Sequence, residues 1–200
     1  TAVTSEHSSG KPVQALFPNL RGTELLCESL NPQQVATRAE VIFLALPHTK
    51  SAGPAQTFLK AGRKVIDLSA DFRLKDVRAY ETWYQTPHPC PDLLRTAVYG
   101  LPELHRDAIR SASLVASPGC YPTAAILSLA PLAKHQLLGD HIIIDAKSGI
   151  SGAGRTPALA YHFPEANESM EAYKLGAHRH IPEIEQELGW MYETLHTDSK

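Results

Sequence analysis

The sequence lacks three features that would each define a class of protein. Its longest apolar run, residues 41–46, has six residues, whereas a membrane-spanning helix needs about 20. Its 19 basic and 21 acidic residues are balanced and form no basic stripe that could follow a phosphate backbone. Its first residues show no secretory leader. These absences predict a cytoplasmic protein without a membrane or nucleic-acid partner.

Cysteine is also scarce, since the 200 residues contain only Cys27, Cys90 and Cys120. The three lie far apart and form no C-x-x-C pair, so neither a disulfide framework nor a cysteine zinc site is indicated. The sequence therefore predicts a protein of a reducing compartment that has no structural metal.

The hydrophobic residues, 43% of the chain, fall into short segments that predict an α/β fold. Two strand–helix–strand units are predicted: residues 41–46, 51–61 and 64–69, then residues 113–117, 122–138 and 141–146. Such units form parallel sheets. After residue 146 the composition changes to glycine and serine, so we place a domain boundary between residues 146 and 147. A late helix is predicted at residues 182–188.

Cys120 stands apart from the other two cysteines because it lies between a predicted strand and a predicted helix. Gly119 permits an abrupt turn, and Pro122 suits the first turn of a helix. The positive end of a helix dipole favours thiolate over thiol, so Cys120 is a candidate nucleophile. A buried, inert cysteine at a turn is the alternative interpretation. Cys27 and Cys90 lack this setting and are predicted to be structural.

A second candidate site is the histidine pair at residues 178 and 180. In an extended segment His178 and His180 would share one face, with Arg179 on the other. The pair could serve as a general acid and base, hold a metal, or be structural. No third ligand stands at metal-binding spacing.

Glycine and hydroxyl residues are concentrated after the last predicted strand, at residues 145–155. Such a loop can bring backbone N–H groups close to a phosphate or a cofactor, although a flexible hinge would look similar. Residues 69–73 also follow a strand, at the sheet edge where open α/β folds bind ligands.

Taken together, these segments resemble the family of NADPH-dependent N-acetyl-gamma-glutamyl-phosphate reductases of arginine biosynthesis, which are relatives of aspartate-semialdehyde dehydrogenase. The matching segments are residues 3–5, 9–11, 43–48, 67–73, 99–103, 117–124, 147–154 and 178–184. The Gly-Cys-Tyr-Pro-Thr motif is specific, because the aspartate-semialdehyde enzymes usually carry an Asn before the cysteine.

The resemblance implies a fold and a reaction. The fold is an incomplete Rossmann-type parallel sheet over residues 1–146, which binds NADP(H) and carries the cysteine. Part of an α+β substrate and dimerisation domain follows at residues 147–200, and the family forms homo-oligomers. Cys120 would attack the acyl phosphate and release inorganic phosphate, and hydride from NADPH would reduce the thioester to the semialdehyde. His180 would be the acid and base.

The resemblance also implies binding residues. Those for the substrate phosphate or carboxylate are Arg73, His178, Arg179 and Tyr173. Those for the cofactor are Thr4, Ser5, Ser9, Gly10, Lys11, Leu46, Pro47, Ser148, Gly149, Ser151 and Gly152. Thr4 to Lys11 follow the expected second Rossmann strand and could meet the 2′-phosphate.

The sequence departs from the family because it has no G-x-x-G-x-x-G turn before Val41. We therefore expect a piece that lacks the first βα unit and the end of the second domain. Two alternatives stay open for this chain: a catalytically silent scaffold, and a cysteine hydrolase without a cofactor. A reductase of a longer acyl phosphate, such as an aminoadipyl one, is a further possibility.

Overall fold

The computed structural model describes residues 3–139, 141–154 and 156–197, with side chains described up to residue 191. The chain divides into two compact units, Thr1–Pro118 and Gly119–Lys200. The division falls earlier than the predicted boundary between residues 146 and 147, because the helix that begins at Cys120 packs within the second unit. The boundary at residue 146 stays a prediction about the functional domains.

The first unit is built on parallel strands. Its strands are β1 (Val3–Thr4), β2 (Cys27–Glu28), β3 (Val41–Leu44), β4 (Lys64–Asp67), β5 (Val98–Tyr99) and β6 (Leu114–Ala116). β1 pairs with β2, and a separate four-stranded sheet has the order β3-β4-β6-β5. Every pair is parallel; Val41 is opposite Lys64, and Val65 is opposite Leu114. The first predicted βαβ unit is confirmed, and each of its two strands is two residues shorter than expected.

Six helices connect these strands: α1 (Val13–Leu16), α2 (Pro32–Arg38), α3 (Ala52–Lys60), α4 (Val77–Tyr84), α5 (Pro91–Thr96) and α6 (Pro102–Ser111). α3 is amphipathic and buries Ala52, Ala55 and Phe58. Gly62, at φ +71°, ends the turn that follows α3. Phe58 packs in the same core as Val65 of β4 and Leu114 of β6. Burial of apolar side chains against the central strands β4 and β6 therefore stabilises the sheet.

The second unit is mainly two helices that pack on each other, α7 (Cys120–Lys134) and α9 (Ile181–Thr197), with the short α8 (Phe163–Ala166) between them in sequence. α7 begins two residues before the predicted start and buries Ile126, Ala130 and Ala133. α9 is longer than the predicted helix at residues 182–188. In the described part of the chain, no helix is both long and apolar enough to cross a membrane.

The predicted strand at residues 141–146 is wrong. Its described residues form no regular element, and Ile143 is 95% exposed. A β-branched apolar run becomes a strand only when another strand pairs with it and covers its side chains. No described residue of the second unit provides that partner.

Candidate active site

Cys120 is the first residue of α7, directly after the N-cap residue Gly119. Its thiol is exposed, whereas Cys27 and Cys90 are buried. Burial raises the pKa of the Cys90 thiol and so disfavours its thiolate. The prediction that Cys120 lies at a helix N-terminus is confirmed, although α7 begins at Cys120 itself rather than at residue 122. Cys120 thus combines access to solvent with the positive end of a 15-residue helix.

The imidazole of His180 lies against the backbone of Gly119. A Cβ atom added to Gly119 would lie 2.4 Å from His180 Nε2 and 2.8 Å from both His180 Cδ2 and Cε1. Only a residue without a side chain allows this approach. His180 therefore lies beside the residue that precedes the cysteine, as a candidate acid and base would need to.

His178 accompanies His180 in a turn rather than in the extended segment considered from the sequence. The centroids of the two imidazole rings are 4.6 Å apart. His178 Nδ1 accepts a hydrogen bond of 3.1 Å from the backbone N–H of His180. A neutral His178 therefore carries its proton on Nε2. Burial and the positive charges of Lys174 and Arg179 lower the pKa of His178, so the neutral form is favoured.

Two tyrosines complete this side-chain cluster. The hydroxyl of Tyr173 donates to the hydroxyl of Tyr121 at 3.0 Å, and both rings make edge contacts with His178. The hydrogen bond with Tyr121, then burial, then electrostatic interaction with Tyr121 and Cys120 raise the pKa of Tyr173 to about 12. Tyr121 is not among the residues predicted from the sequence, although it directly follows Cys120.

A buried carboxylate, Glu183, also contacts this site and is missing from the predicted set. Glu183 is 1% exposed, and its Oε1 accepts a hydrogen bond of 2.8 Å from the N–H of Gly119. The sequence contains one signal for it, since Glu183 follows His180 by three residues and lies in the first turn of α9. Together, the second unit assembles Cys120, Tyr121, Tyr173, His178, His180 and Glu183.

The side chains of this cluster comprise a thiol, two imidazoles, two phenols and a carboxylate. Among residues 3–139, 141–154 and 156–197, no group of three or more His, Cys, Asp or Glu side chains could hold a metal ion. The cluster therefore offers an exposed thiol, a neighbouring imidazole and phenol hydroxyls. These groups suit nucleophilic attack and proton transfer.

Arg73, a predicted substrate residue, lies in the first unit and is 5% exposed. Its Nε donates to the carbonyl of Ser117 at 2.7 Å, and its Nη2 donates to the carbonyl of Leu68 at 3.0 Å. These bonds tie together the chain segments that follow β4 and β6. They give Arg73 a structural role, and its contact with substrate stays a prediction.

The first group of predicted cofactor residues follows β1. The N–H groups of Ser5 and Gly10 donate to the carbonyls of Glu28 and Cys27, each at 2.8 Å. Gly10 is at φ +81°, which favours glycine. The Oγ of Ser9 accepts from Ser29 Oγ at 3.1 Å, and Lys11 is exposed. Thr4 ends β1, and the turn after it presents hydroxyl groups and an amine. Leu46 and Pro47 follow the carboxyl end of β3 in the same unit.

The second group, Ser148, Gly149, Ser151 and Gly152, is an exposed loop of the second unit. It is organised by the 3-10 turn Ile150–Ala153, in which the N–H of Gly152 donates to the carbonyl of Gly149 at 2.9 Å. A Cβ atom on Gly152 would lie 2.4 Å from Ser148 Oγ, so a side chain there would displace the Ser148 hydroxyl.

A parallel α/β unit followed in sequence by an exposed cysteine at a helix start suits an α/β enzyme that binds its ligand at the strand ends and offers a thiol nucleophile. Residues 1–112 match the family model of the semialdehyde dehydrogenase NAD-binding domain. Residues 120–197 match the model of the semialdehyde dehydrogenase dimerisation domain. The chain therefore belongs to the semialdehyde dehydrogenase family, and the predicted Rossmann-type fold class is confirmed.

Comparison with curated proteins identifies relatives that share one specific name. The chain is 52% identical over 190 residues to the N-acetyl-gamma-glutamyl-phosphate reductase of Pelotomaculum thermopropionicum and 54% identical over 191 residues to that of Geotalea daltonii. It is 53% identical over 189 residues to that of Moorella thermoacetica. Each alignment covers 94% of this chain and 55% of the relative, so the chain spans about half the length of these relatives. The resemblance stated from the motifs is confirmed.

Proposed function

We propose that the protein that carries this chain reduces N-acetyl-gamma-glutamyl phosphate to N-acetyl-glutamate 5-semialdehyde and releases inorganic phosphate. The proposal assigns it to arginine biosynthesis in the cytoplasm, with NADP(H) as cofactor. The relatives carry the name of this activity. The single observation that carries the proposal is the exposed Cys120 at the start of α7, with His180 against the preceding glycine.

In the first step the Cys120 thiolate attacks the acyl carbon, and the bond from that carbon to the phosphate oxygen breaks. Inorganic phosphate leaves with the electron pair, and a thioester on Cys120 results. His180 takes the thiol proton before the attack. The start of α7 stabilises negative charge on sulfur, because its first N–H groups have no partner within the helix.

In the second step His180 returns a proton to the former carbonyl oxygen once the thioester carbon is reduced. The carbon–sulfur bond then breaks, and the hydroxyl proton passes through His180 to the sulfur, so that the aldehyde is released and the thiol re-forms. A bound nicotinamide cofactor supplies the hydride that reduces the thioester carbon. The neutral state of His178 and its proton on Nε2 suit a hydrogen bond to a substrate oxygen. We assign Tyr173, Arg179 and Arg73 to the same task of substrate recognition.

The residues after β1 fit a phosphorylated dinucleotide in their chemistry. Thr4, Ser5 and Ser9 bring hydroxyl groups, Gly10 allows the tight turn, and the exposed Lys11 brings a positive charge. Hydroxyl groups and an amine are ordinary partners of a ribose 2′-phosphate. We assign the rest of the cofactor surface to Leu46, Pro47, Ser148, Gly149, Ser151 and Gly152. The match to a dimerisation domain supports a homo-oligomer.

Replacement of the nucleophile tests the proposal. Cys120→Ser is expected to abolish NADPH-dependent reduction of the acyl phosphate, whereas Cys90→Ala, at a buried thiol, is expected to retain it. The assay follows NADPH absorbance with N-acetyl-gamma-glutamyl phosphate and with a longer aminoadipyl phosphate. Substantial activity of Cys120→Ser would contradict the proposal. A higher kcat/KM with the aminoadipyl phosphate would show that the longer acyl phosphate, rather than N-acetyl-gamma-glutamyl phosphate, is the substrate.

Two further measurements separate the alternatives for the 200-residue chain. Titration with NADPH, followed by cofactor fluorescence, is expected to show micromolar binding by a reductase and none by a silent scaffold. Thioester hydrolysis at a rate indifferent to NADPH would favour a cysteine hydrolase instead.

A further inference from the structure

Glu183 is a buried carboxylate to which the proposed mechanism gives no task. It is 1% exposed, and its Oε1 accepts a hydrogen bond of 2.8 Å from the N–H of Gly119. A buried carboxylate is costly unless hydrogen bonds compensate for lost hydration. Its position therefore calls for a role that the apolar contact between α7 and α9 does not explain.

The contact resembles a capping box shared between two helices. In an ordinary capping box, the side chain of the third helical residue accepts from the N–H of the N-cap residue of its own helix. Glu183 is the third residue of α9, but it accepts from Gly119, the N-cap residue of α7. The N-cap position of α9 is used differently, since the N–H of His180 donates to His178 Nδ1.

The N–H, the Cα and the carbonyl of Gly119 each contact another residue of the second unit. Its N–H is bound by Glu183, and its Cα faces the imidazole of His180. Its carbonyl accepts from the N–H of Thr123 at 3.0 Å and from Thr123 Oγ1 at 2.9 Å. The peptide that precedes Cys120 can therefore not rotate without breaking at least one of these contacts.

His180 directly precedes α9, and Glu183 follows it by three residues, in the first turn of that helix. The start of α9 and the residue before it thus supply the acceptor that binds the N–H of Gly119 and the candidate acid and base. We propose that Glu183 is a positioning residue, which holds the Gly119–Cys120 peptide so that the thiol stays at the start of α7 beside His180. The inference rests on the proposed role of Cys120 as nucleophile.

A role of Glu183 through its hydrogen bond and a role through a negative charge predict opposite effects on the thiol, which makes the proposal testable. A negative charge near Cys120 disfavours the thiolate, so loss of the charge alone would increase thiol reactivity. Loss of the hydrogen bond would release the peptide and decrease it. Glu183→Gln keeps an acceptor oxygen and removes the charge, whereas Glu183→Asp keeps the charge and shortens the reach.

The measurement is the rate at which iodoacetamide alkylates Cys120 in the 200-residue chain at pH 7, read by mass spectrometry of the Cys120 peptide. Neither cofactor nor substrate is needed, so the result is independent of reductase activity. Cys27 and Cys90 are buried, and their alkylation in the same sample reports any unfolding. Glu187→Gln is the matched control, because Glu187 is a second buried carboxylate one turn further along α9.

We expect alkylation of Cys120 to slow about tenfold in Glu183→Asp and Glu183→Ala, as for the loss of a hydrogen bond to a charged group. Glu183→Gln and Glu187→Gln are expected to remain within about twofold of the parent chain. Faster alkylation of Glu183→Gln would assign the effect to charge and overturn the proposal. Parent rates in Glu183→Asp would overturn it as well. If Glu183→Ala unfolds, the Gln and Asp variants still decide the question.

Discussion

The two compact units use buried polar side chains in different ways. In Thr1–Pro118 such side chains serve the backbone: Asp71 accepts from the N–H groups of Thr49, Ser51 and Ala52, and Arg73 donates to two carbonyls. In Gly119–Lys200 buried and half-buried polar groups converge on the peptide next to one exposed cysteine. Polar burial therefore stabilises the fold in the first unit and organises a reactive group in the second.

The two units also differ in how much apolar surface they bury. The first unit has a contiguous core that includes Phe58, Val65, Leu94 and Leu114. The second unit buries one stripe of α7, while Ile143, Leu159 and Leu175 are more than two thirds exposed. The site thus depends on the contact between α7 and α9, with little surrounding core to compensate for a lost contact.

The largest expected effect is in the first unit, at Asp71. Asp71→Ala leaves the N–H groups of Thr49, Ser51 and Ala52 without their acceptor, at the start of α3. We expect the free energy of unfolding to fall by about 3 kcal/mol or more. Trp83 fluorescence during urea unfolding of a Trp190→Phe background measures it, because Trp83 is then the only tryptophan.

Asp76→Ala is the matched control, since Asp76 is an exposed N-cap residue that accepts from the N–H of Arg78 at 2.8 Å. Its loss is expected to reduce stability by about 1 kcal/mol. Equal losses at Asp71 and Asp76 would mean that burial of the carboxylate adds nothing to the first unit.

The second largest effect is in the second unit, at Gly119. A Cβ atom there would lie 2.4 Å from His180 Nε2, so Gly119→Ala must displace the imidazole or the cysteine turn. We expect a loss of about 1 to 3 kcal/mol, as for overpacking of a filled contact, and slower alkylation of Cys120. Trp190 fluorescence in a Trp83→Phe background reports the loss of stability.

Two comparisons assign that loss to the imidazole. The φ of Gly119 is −68°, so backbone strain is not the cause, and Gly119→Ala combined with His180→Ala is expected to recover most of the stability. Gly139→Ala is a neutral control, because a Cβ atom there meets no described atom within 4 Å. Additive losses in the double variant would refute the proposed contact.

The elements predicted correctly from the sequence are those with local causes. β3, α3 and β4 follow from apolar periodicity and a glycine stop, and the helix start at Cys120 follows from the neighbouring Gly119 and Pro122. The strand at residues 141–146 is wrong because strand formation depends on a partner elsewhere in the chain. The local pattern of three isoleucines contains no information about that partner.

The polar contacts that sequence reasoning missed join residues that lie far apart in the chain. The Glu183 carboxylate binds a peptide 64 residues earlier, and Asp71 caps a helix about 20 residues earlier. The resemblance predicts that Arg73 contacts substrate, which stays a prediction, and residue spacing contains no signal for its hydrogen bonds to the Ser117 and Leu68 carbonyls. Residue type and spacing in the sequence identify reactive side chains more readily than they identify the side chains that position them by hydrogen bonds.

The third prediction concerns pH and His178. Burial, Lys174 and Arg179 lower the pKa of His178 below its ordinary value of about 6.5. The unfolded chain then binds a proton at higher pH than the folded one. Stability from this group is present above pH 6.5 and is lost as the pH falls from about 6.5 through the folded-state pKa. We expect NMR titration to show His178 protonating at lower pH than in a free peptide of residues 174–182.

His178→Asn removes the titration while its side-chain oxygen can still accept from the N–H of His180. In this variant, the loss of stability at low pH that is measured by Trp190 fluorescence is expected to be smaller than in the parent chain. The stability measured by Trp83 fluorescence is expected to stay unchanged. An equal or higher pKa of His178 in the folded chain would contradict the prediction.

The smallest effects test whether each unit responds on its own. Gly189 is exposed in α9 and Gly53 is exposed in α3, and a Cβ atom on either meets no described atom within 4 Å outside its own helix backbone. Replacement by alanine is expected to stabilise each helix by about 0.5 to 1 kcal/mol. Gly189→Ala is expected to move the unfolding midpoint at Trp190, and Gly53→Ala the midpoint at Trp83. If both substitutions move both midpoints equally, the units unfold together, and the contrast between a stable scaffold and a locally held site would have to be abandoned.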